Sequence, residues 1–332
     1  MKPVLRLVAS LAVAVGLLGA LMLLGGIGPG DLLAGLAKLS FRAYAAALGL
    51  HVALYALRAL RFRLLLPAER RPGFGHLLAI TSSYTMAALI LPAKIGEATF
   101  VVYAGRVAGV PAAEATAVLL VSRLLDVATL ALGMSLAALA LWATGSWPQL
   151  PWLAPLGLLL LPVSIAVFFV SARGDLLVRW IDRGSRLLRL DRTRTGARLL
   201  ALGDRLAVAL RAAGSRQRLY GAALVSLPAW VCLFLFCAIL AKGLGLPSEI
   251  TFSEATLGTG LAITTSLIPL SAFANFGTLE AGWVLGFHAL GVGNEVAYAT
   301  GVGVHLVQLA NAVLLGLLGH VGMAIGAGRE RR

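Results

Sequence analysis

The sequence predicts an all-α polytopic membrane protein with about six full transmembrane helices and two re-entrant hairpins that form an inverted repeat. Three observations support this fold class. The 332 residues are 59% hydrophobic and only 13% charged, whereas soluble domains are about 25% charged. Several runs exceed the roughly 18 apolar residues that indicate a spanning helix. Two further apolar stretches are interrupted by proline and glycine, and these two stretches resemble each other.

Six apolar runs are long enough to cross a bilayer, at about residues 4–27, 39–60, 113–143, 150–171, 218–241 and 295–323. The first run is longer than the core of a signal peptide, which spans about 7–15 residues, so we expect an uncleaved span. Two other stretches are broken inside: 76–110 at Leu91–Glu97, and 254–290 at Ile268–Gly277. All of these segments are expected to form one transmembrane domain covering residues 1–332.

Loop charges predict the orientation in the membrane. The segment 58–71 contains five arginines, and 173–218 contains twelve of the 28 lysines and arginines with only four acids. The loop 144–152 contains no charge but two tryptophans. Because basic loops stay inside, we expect the basic segments and both termini to face the cytoplasm, in the inner (plasma) membrane. The segment 173–218 should form basic amphipathic helices on the cytoplasmic surface.

Counting the crossings makes both broken stretches re-entrant. Two spans return the chain to the cytoplasm at 58–71, and the next full span must leave from that side, so 76–110 begins and ends inside. By the same count, 254–290 begins and ends outside. Irregular backbone at membrane depth is tolerated where protein buries it or water reaches it, which is typical of transport pathways.

The two broken stretches match at a nearly constant offset. Gly96 matches Gly277, Glu97 matches Glu280, and Gly109-Val110 matches Gly291-Val292, at offsets of 181 to 183 residues. We therefore expect repeat one at about 39–171 and repeat two at about 218–323. Related hairpins on opposite faces form an inverted repeat, a design that recurs in secondary transporters with the site near the midplane.

Charged residues in repeat one are candidates for a transport site. Glu97 follows the break, and an ionised carboxylate at this depth has to be paired, hydrated or protonated. It contacts either the transported group or only the start of the second helical arm, where a carboxylate is favourable. Arg123 and Asp126 lie three residues apart and share a helix face. They form a simple ion pair, or they exchange partners with Glu97 during transport.

Repeat two offers the equivalent positions with weaker charges. Glu280 follows the second break, and the same two interpretations apply to it. Asn275 belongs to the break itself. His305 matches Arg123 and Gln308 matches Asp126 at the same offset. A histidine at this position either titrates near neutral pH or is an ordinary hydrogen-bonded core residue.

Three basic residues lie near the predicted cytoplasmic surface beside the first hairpin. Arg58, Arg61 and Lys94 are candidates to contact a lipid phosphate. The alternative is that they set the topology and extend to the interface.

Other function classes lack support in the sequence. No phosphate-binding loop, zinc-protease motif, dinucleotide fingerprint or nucleophile elbow is present, so no catalytic residue, cofactor or metal site is predicted. The net charge of +14 follows from the basic loops rather than from a nucleic-acid surface. The expectation is a protein that is not an enzyme and does not bind nucleic acid.

Several segments resemble a known family. Leu91–Glu97, Gly109–Pro111 and Ser122–Asp126 resemble the signature P-x-R/K-x-G-E … G-V … E/S-R-x-x-D of the lysylphosphatidylglycerol synthase transmembrane-region family, also called flippase-like or uncharacterised protein family 0104. Arg58-x-x-Arg61 fits it too, and Pro269–Glu280 resembles the second half. The family pattern S-x-G-G-x-G-x-x-E is only partly present, because Ser271–Gly277 lacks the extra glycines. The resemblance covers nearly the whole chain and implies the short form, without the aminoacyl-transferase domain.

These observations leave three hypotheses for the function. The first is a translocase that moves an anionic phospholipid, glycolipid, hopanoid or polyprenyl-phosphate carrier without its own ATPase; relatives of the short form are linked to such lipids. The second is a subunit that presents a lipid to a separate glycosyltransferase or aminoacyl-transferase. The third is an ion-coupled transporter of a small solute.

Overall fold

The computed structural model describes residues 29–145, 147, 149–172, 183–184, 216–266 and 273–329. Within these ranges every regular element is helical. The predicted first span, 4–27, lies outside the described residues, and so does nearly all of the predicted amphipathic segment 173–218. The remaining five predicted spans can each be compared with a helix.

Five long helices coincide with those five spans, and a short helix precedes them. They are α1 (Pro29–Ala37), α2 (Phe41–Leu65), α5 (Ala112–Ala143), α6 (Leu153–Ala172), α7 (Arg216–Gly243) and α10 (Asn294–Arg329). Among the described helices, α2 and α5, with most of α7 and α10, are long and apolar enough to cross a membrane. Helix α6 has 20 residues, which at 1.5 Å per residue is about 30 Å, the thickness of the hydrocarbon core.

The first broken stretch is a helical hairpin. Helix α3 (Phe74–Ile90) is followed by a 3₁₀ turn at Pro92–Glu97 and by α4 (Ala98–Ala108). The turn folds back onto α3 so closely that a Cβ atom at Gly96 would lie 2.0 Å from the carbonyl oxygen of Ala87. The arms have 17 and 11 residues, or about 26 and 17 Å, so neither reaches across a hydrocarbon core of about 30 Å.

The second broken stretch forms the corresponding hairpin. Helix α8 (Phe252–Ser266) and α9 (Thr278–Ala289) are its arms, and a 3₁₀ turn at Phe273–Asn275 precedes α9. The arms approach closely, because a Cβ atom at Gly286 would lie 2.9 Å from the Cα atom of Gly258. With 15 and 12 residues, these arms are also shorter than about 20 residues, the usual length of a spanning helix.

The helix contacts of the first half have counterparts in the second half, with each helix replaced by its equivalent. Helix α3 packs on α10, as α8 packs on α5. Helix α4 packs on α5 as α9 packs on α10, and α2 contacts α3 as α7 contacts α8. Helices α2 and α7 pack on each other, and the two 3₁₀ turns meet. The first arm of each hairpin therefore packs against the long helix that follows the hairpin in the other half. The placement of the hairpins on opposite membrane faces stays a prediction from the loop charges.

Both hairpins end in the same way. Gly109 and Gly291 have positive φ angles of 62° and 74°, a conformation that glycine adopts without steric cost. The next residues, Val110 and Val292, are buried, and their backbone N–H groups donate to carbonyl oxygens of the helix that has just ended, at 3.1 and 3.0 Å. The sequence match at these positions thus has a structural basis in a shared helix cap.

Candidate functional site

A cavity of about 240 Å³ lies between the two hairpins and helices α2, α5, α7 and α10. Both halves of the chain line it. Six of the ten predicted site residues contribute, namely Arg58, Glu97, Arg123, Asp126, Asn275 and Gln308. The cavity is therefore the place where the structure brings the predicted polar residues of the two repeats together.

Asp126 is held by four hydrogen bonds. Arg61 donates to its two carboxylate oxygens at 2.7 and 3.2 Å. Arg123 Nη1 donates to Oδ2 at 3.3 Å, and the indole N–H of Trp230 donates to Oδ1 at 3.2 Å. Because each carboxylate oxygen already accepts two donors, Asp126 has little capacity left for a transported group. Its role is to hold two arginines in place.

Arg61 lies behind the cavity and is not among the residues that line it. Its relative exposure is 1%, and besides Asp126 it contacts the hydroxyl of Ser226 at 3.2 Å. The predicted span ended at residue 60, whereas α2 continues to Leu65. That extra turn places Arg61 inside the helix, so its guanidinium faces α5 and α7. The expected contact with a lipid phosphate is replaced by a buried ion pair.

Glu97 and Arg123 form the accessible part of the same network. Arg123 Nε donates to Glu97 Oε2 at 3.1 Å. Both side chains keep partial exposure, 21% for Glu97 and 35% for Arg123. Arg123 thus contacts both Glu97 and Asp126, and this bridging position is what an exchange of partners requires. Glu97 is the N-cap residue of α4 but makes no side-chain hydrogen bond to the start of that helix, so its hydrogen-bond partner is Arg123 and not the helix backbone.

Glu280 and His305 form a separate, fully buried pair. His305 Nδ1 lies 2.6 Å from Glu280 Oε1, and both side chains have an exposure of 0%. Glu280 Oε2 also accepts the backbone N–H of Gly277, at 2.6 Å. This is the capping role that the sequence left open for the residue. The pair joins α9 to α10, as the Glu97–Arg123 pair joins the first hairpin to α5. Neither Glu280 nor His305 lines the cavity.

The second break keeps a glycine-like backbone without the glycines. Ala274 and Asn275 have φ angles of 53° and 59°, in the left-handed region. Gly277 and Glu280 align with the last glycine and the glutamate of the pattern S-x-G-G-x-G-x-x-E. In this alignment, Ala274 and Asn275 occupy the positions of the two missing glycines. Asparagine tolerates this conformation well, and alanine adopts it at a cost. The loop conformation therefore fits glycine at both positions.

A polar stripe on α2 joins the predicted Arg58 to two residues, His51 and Tyr55, that the sequence analysis did not identify. His51, Tyr55 and Arg58 are spaced i, i+4 and i+7, so they share one helix face, and all three line the cavity. Buried His51 Nδ1 and Tyr55 Oη have no hydrogen-bond partner among the described residues. Arg58 forms no ion pair with any carboxylate in the described part of the chain. Three polar side chains at this spacing in an apolar span are the signal that would have identified the stripe.

Two further expectations concern Lys94 and metal binding. Lys94 belongs to the 3₁₀ turn of the first hairpin, but its side chain lies outside the described part of the structure. Among the described residues, no group of three or more His, Cys, Asp or Glu side chains is placed to hold a metal ion.

The helices and the charged cavity define the class: a multi-pass, all-α membrane protein. A comparison with protein families finds that residues 7–316 match the family described as "Lysylphosphatidylglycerol synthase TM region". The match covers most of the chain, so the protein belongs to this family, as the motifs indicated. A comparison with curated proteins finds no match.

Proposed function

We propose that the protein is a translocase of the inner membrane that moves a lipid with an anionic headgroup. The observation that carries this proposal is Arg58, which lines a cavity between the two hairpins, makes no ion pair within 4 Å with any described carboxylate, and acts on Asp126 only from a longer distance. A charge at membrane depth is costly unless it is paired, and unpaired intramembrane charges mark binding sites or pathways. An anionic headgroup is the ligand that satisfies Arg58.

The charge balance around the cavity favours a single negative charge. Among the described residues at the cavity and behind it, there are three guanidinium groups, Arg58, Arg61 and Arg123, and two carboxylates, Glu97 and Asp126. Within this set one positive charge remains, which a phosphodiester would neutralise. A cationic headgroup would add to the excess and would meet repulsion in a region of low dielectric constant.

Unpartnered polar atoms next to Arg58 support a headgroup with further oxygens. Buried polar atoms without a partner cost about 1–3 kcal/mol each, and both His51 Nδ1 and Tyr55 Oη are in this position. A phosphate or hydroxyl oxygen in the cavity would provide acceptors and donors for them. The stripe on α2 thus has the composition of a headgroup site rather than of a packed helix face.

Movement of the headgroup is attributed to the two hairpins. Their turns contact each other, and the cavity lining includes Glu97 from one turn and Asn275 from the other. In an inverted repeat, rocking of one half against the other exposes a central site first to one side and then to the other. An arriving phosphate would compete with Glu97 for Arg123. Binding of the phosphate would thereby free the turn that contains Glu97 from its contact with α5.

The test is lipid movement in reconstituted vesicles. Fluorescent phosphatidylglycerol or phosphatidylcholine is incorporated, and bleaching by an external reductant measures how fast inner-leaflet lipid becomes accessible. We expect wild type to move the anionic lipid, and Arg58→Gln to slow it about tenfold or more, since a charge-assisted hydrogen bond contributes about 1.5–3 kcal/mol. The matched control is Arg63→Gln on the same helix, where the side chain is exposed and does not line the cavity.

Three outcomes decide between the functions. If wild-type vesicles are no faster than empty vesicles with every headgroup tested, the translocase proposal is wrong. If zwitterionic lipid moves as fast as anionic lipid and Arg58→Gln slows neither, the headgroup assignment is wrong. If the protein retains anionic lipid but does not move it, the function is presentation of a lipid to a separate transferase.

A further inference from the structure

We propose that a second, apolar groove holds a hydrocarbon chain of the lipid whose headgroup occupies the charged cavity. The proposal rests on the proposed function, because it assumes that the transported molecule is an amphiphile. The groove has a volume of about 340 Å³ and lies between α5, α7 and α8.

The groove is suited to a chain rather than to a polar group. Its walls are mainly leucine, valine, phenylalanine and alanine side chains. The hydroxyl of Thr129, one of its few polar groups, donates to the carbonyl oxygen of Leu125 in its own helix at 2.7 Å. At Gly133 a Cβ atom would lie 2.9 Å from the ring of Phe234, so the absence of a side chain there lets α5 and α7 approach closely. Thr256 Oγ1 has no hydrogen-bond partner among the described residues, so the groove offers mainly dispersion contacts together with one available hydroxyl.

Trp230 joins the groove to the charged cavity, because it lines both. Its indole N–H donates to Asp126 Oδ1 at 3.2 Å, on the cavity side. Its ring packs against Phe234, which lines the groove, with the ring centroids 5.6 Å apart. One side chain therefore has its polar edge on the headgroup site and its apolar face on the groove. A molecule with an anionic head and an apolar tail matches both surfaces at once.

The groove opens on the apolar exterior of the helix bundle. Leu136, Val231 and Phe252 line it and are 56%, 46% and 46% exposed. In a membrane these side chains contact lipid, so a chain can enter sideways while its headgroup enters the cavity. Each methylene transferred between bilayer and groove gains little, and the groove thus guides the chain without trapping it.

Photo-crosslinking tests the groove directly. The probe is phosphatidylglycerol with a diazirine near the end of one acyl chain, in vesicles containing the full-length protein. Labelled peptides are identified by mass spectrometry. We expect labelling of the groove segments of α5 and α7 above the level at exposed lipid-facing positions elsewhere. Ala140→Trp, which fills the groove from α5, should reduce that labelling to the level at exposed lipid-facing positions elsewhere, because the indole occupies the volume that the chain would take.

The controls separate blocking from general damage. Ala46 on α2 is exposed and does not line the groove, so Ala46→Trp should leave the labelling unchanged. Leu227→Trp fills the groove from α7 and should reproduce the effect of Ala140→Trp. The inference would be overturned if the labelling of each segment simply followed its exposure to lipid, and if neither Ala140→Trp nor Leu227→Trp reduced it.

Failure of the groove and failure of the proposed function give different results. Lipid that moves in vesicles without selective labelling of the groove overturns only the groove. Selective labelling that Ala140→Trp removes, in a protein that moves no lipid, supports the groove and contradicts the translocase.

Discussion

Replacement of Asp126 by asparagine should be the most destabilising single change in the charged network. The substitution removes the negative charge that compensates Arg61, which is 1% exposed and bound by both of its terminal nitrogens. Removing one partner of a buried ion pair costs about 3–5 kcal/mol, because the other charge stays buried and unpaired. The asparagine amide also presents N–H groups where Asp126 presents only acceptors.

A second carboxylate in the network shows whether the expected loss of stability is specific to Asp126 or follows any substitution at the site. Glu97 is the other carboxylate of the network, but its side chain is 21% exposed and has one arginine partner. Glu97→Gln should therefore cost about 0–1 kcal/mol, as for other accessible ion pairs. A double variant, Arg61→Met with Asp126→Leu, removes both charges and should recover most of the stability lost in Asp126→Asn.

The measurement is thermal unfolding of the detergent-solubilised protein for the wild type and the three variants. For a chain of 332 residues, an unfolding entropy of about 2.1 cal/mol/K per residue gives about 1.4 °C per kcal/mol, so a loss of about 3–5 kcal/mol corresponds to a fall of roughly 4–7 °C. Two results would refute the reasoning. One is an equal fall for Asp126→Asn and Glu97→Gln. The other is a double variant less stable than Asp126→Asn, since this would mean that the ion pair itself, not the unpaired charge, dominates.

Two predictions concern the second hairpin. Ala274→Gly should change the stability by less than about 1 kcal/mol. Relief of a left-handed alanine, about 1–2 kcal/mol, is offset by the added unfolded-state entropy of glycine, about 0.4–1 kcal/mol, and by loss of a fully buried methyl group, about 0.8 kcal/mol; a larger change in either direction would contradict it. Gly286→Ala should destabilise by about 1–3 kcal/mol, because its methyl group would meet the backbone of α8 at 2.8 Å. At Gly105 the nearest atom is 3.5 Å away, so Gly105→Ala serves as the control and should not lower the unfolding temperature.

Helices and breaks were predictable because they depend on local chemistry. The spans predicted at 113–143 and 295–323 correspond to Ala112–Ala143 and Asn294–Arg329. Runs of apolar residues specify a spanning helix wherever they occur. A proline alone does not interrupt one, since Pro162 and Pro228 lie inside α6 and α7, whereas the first break combines Pro92 with Gly96. The matches between Glu97 and Glu280, and between Arg123 and His305, also correspond to contacts, since each glutamate pairs with the partner on the long helix that directly follows its own hairpin.

Side-chain partners were less predictable because they depend on which helices meet. Arg61 and Asp126 are 65 residues apart in the sequence, and nothing near either residue indicates the other. Trp230 was overlooked for the same reason, since its indole finds Asp126 104 residues away. A one-turn error at the end of α2 was enough to assign Arg61 to the membrane surface instead of to the core.

The exchange of hairpins between the halves has a consequence for biosynthesis. Ser83 in α3 donates to the carbonyl oxygen of Gly316 in α10 at 3.3 Å, and Tyr103 in α4 contacts His320 at 3.2 Å. A ribosome has to add more than 200 residues after the first hairpin before these partners exist. Until then, Ser83 and Tyr103 lack these partners, and the face of α3 that packs on α10 stays uncovered by its own chain. The first hairpin can therefore reach its final packing only after the last helix has been made.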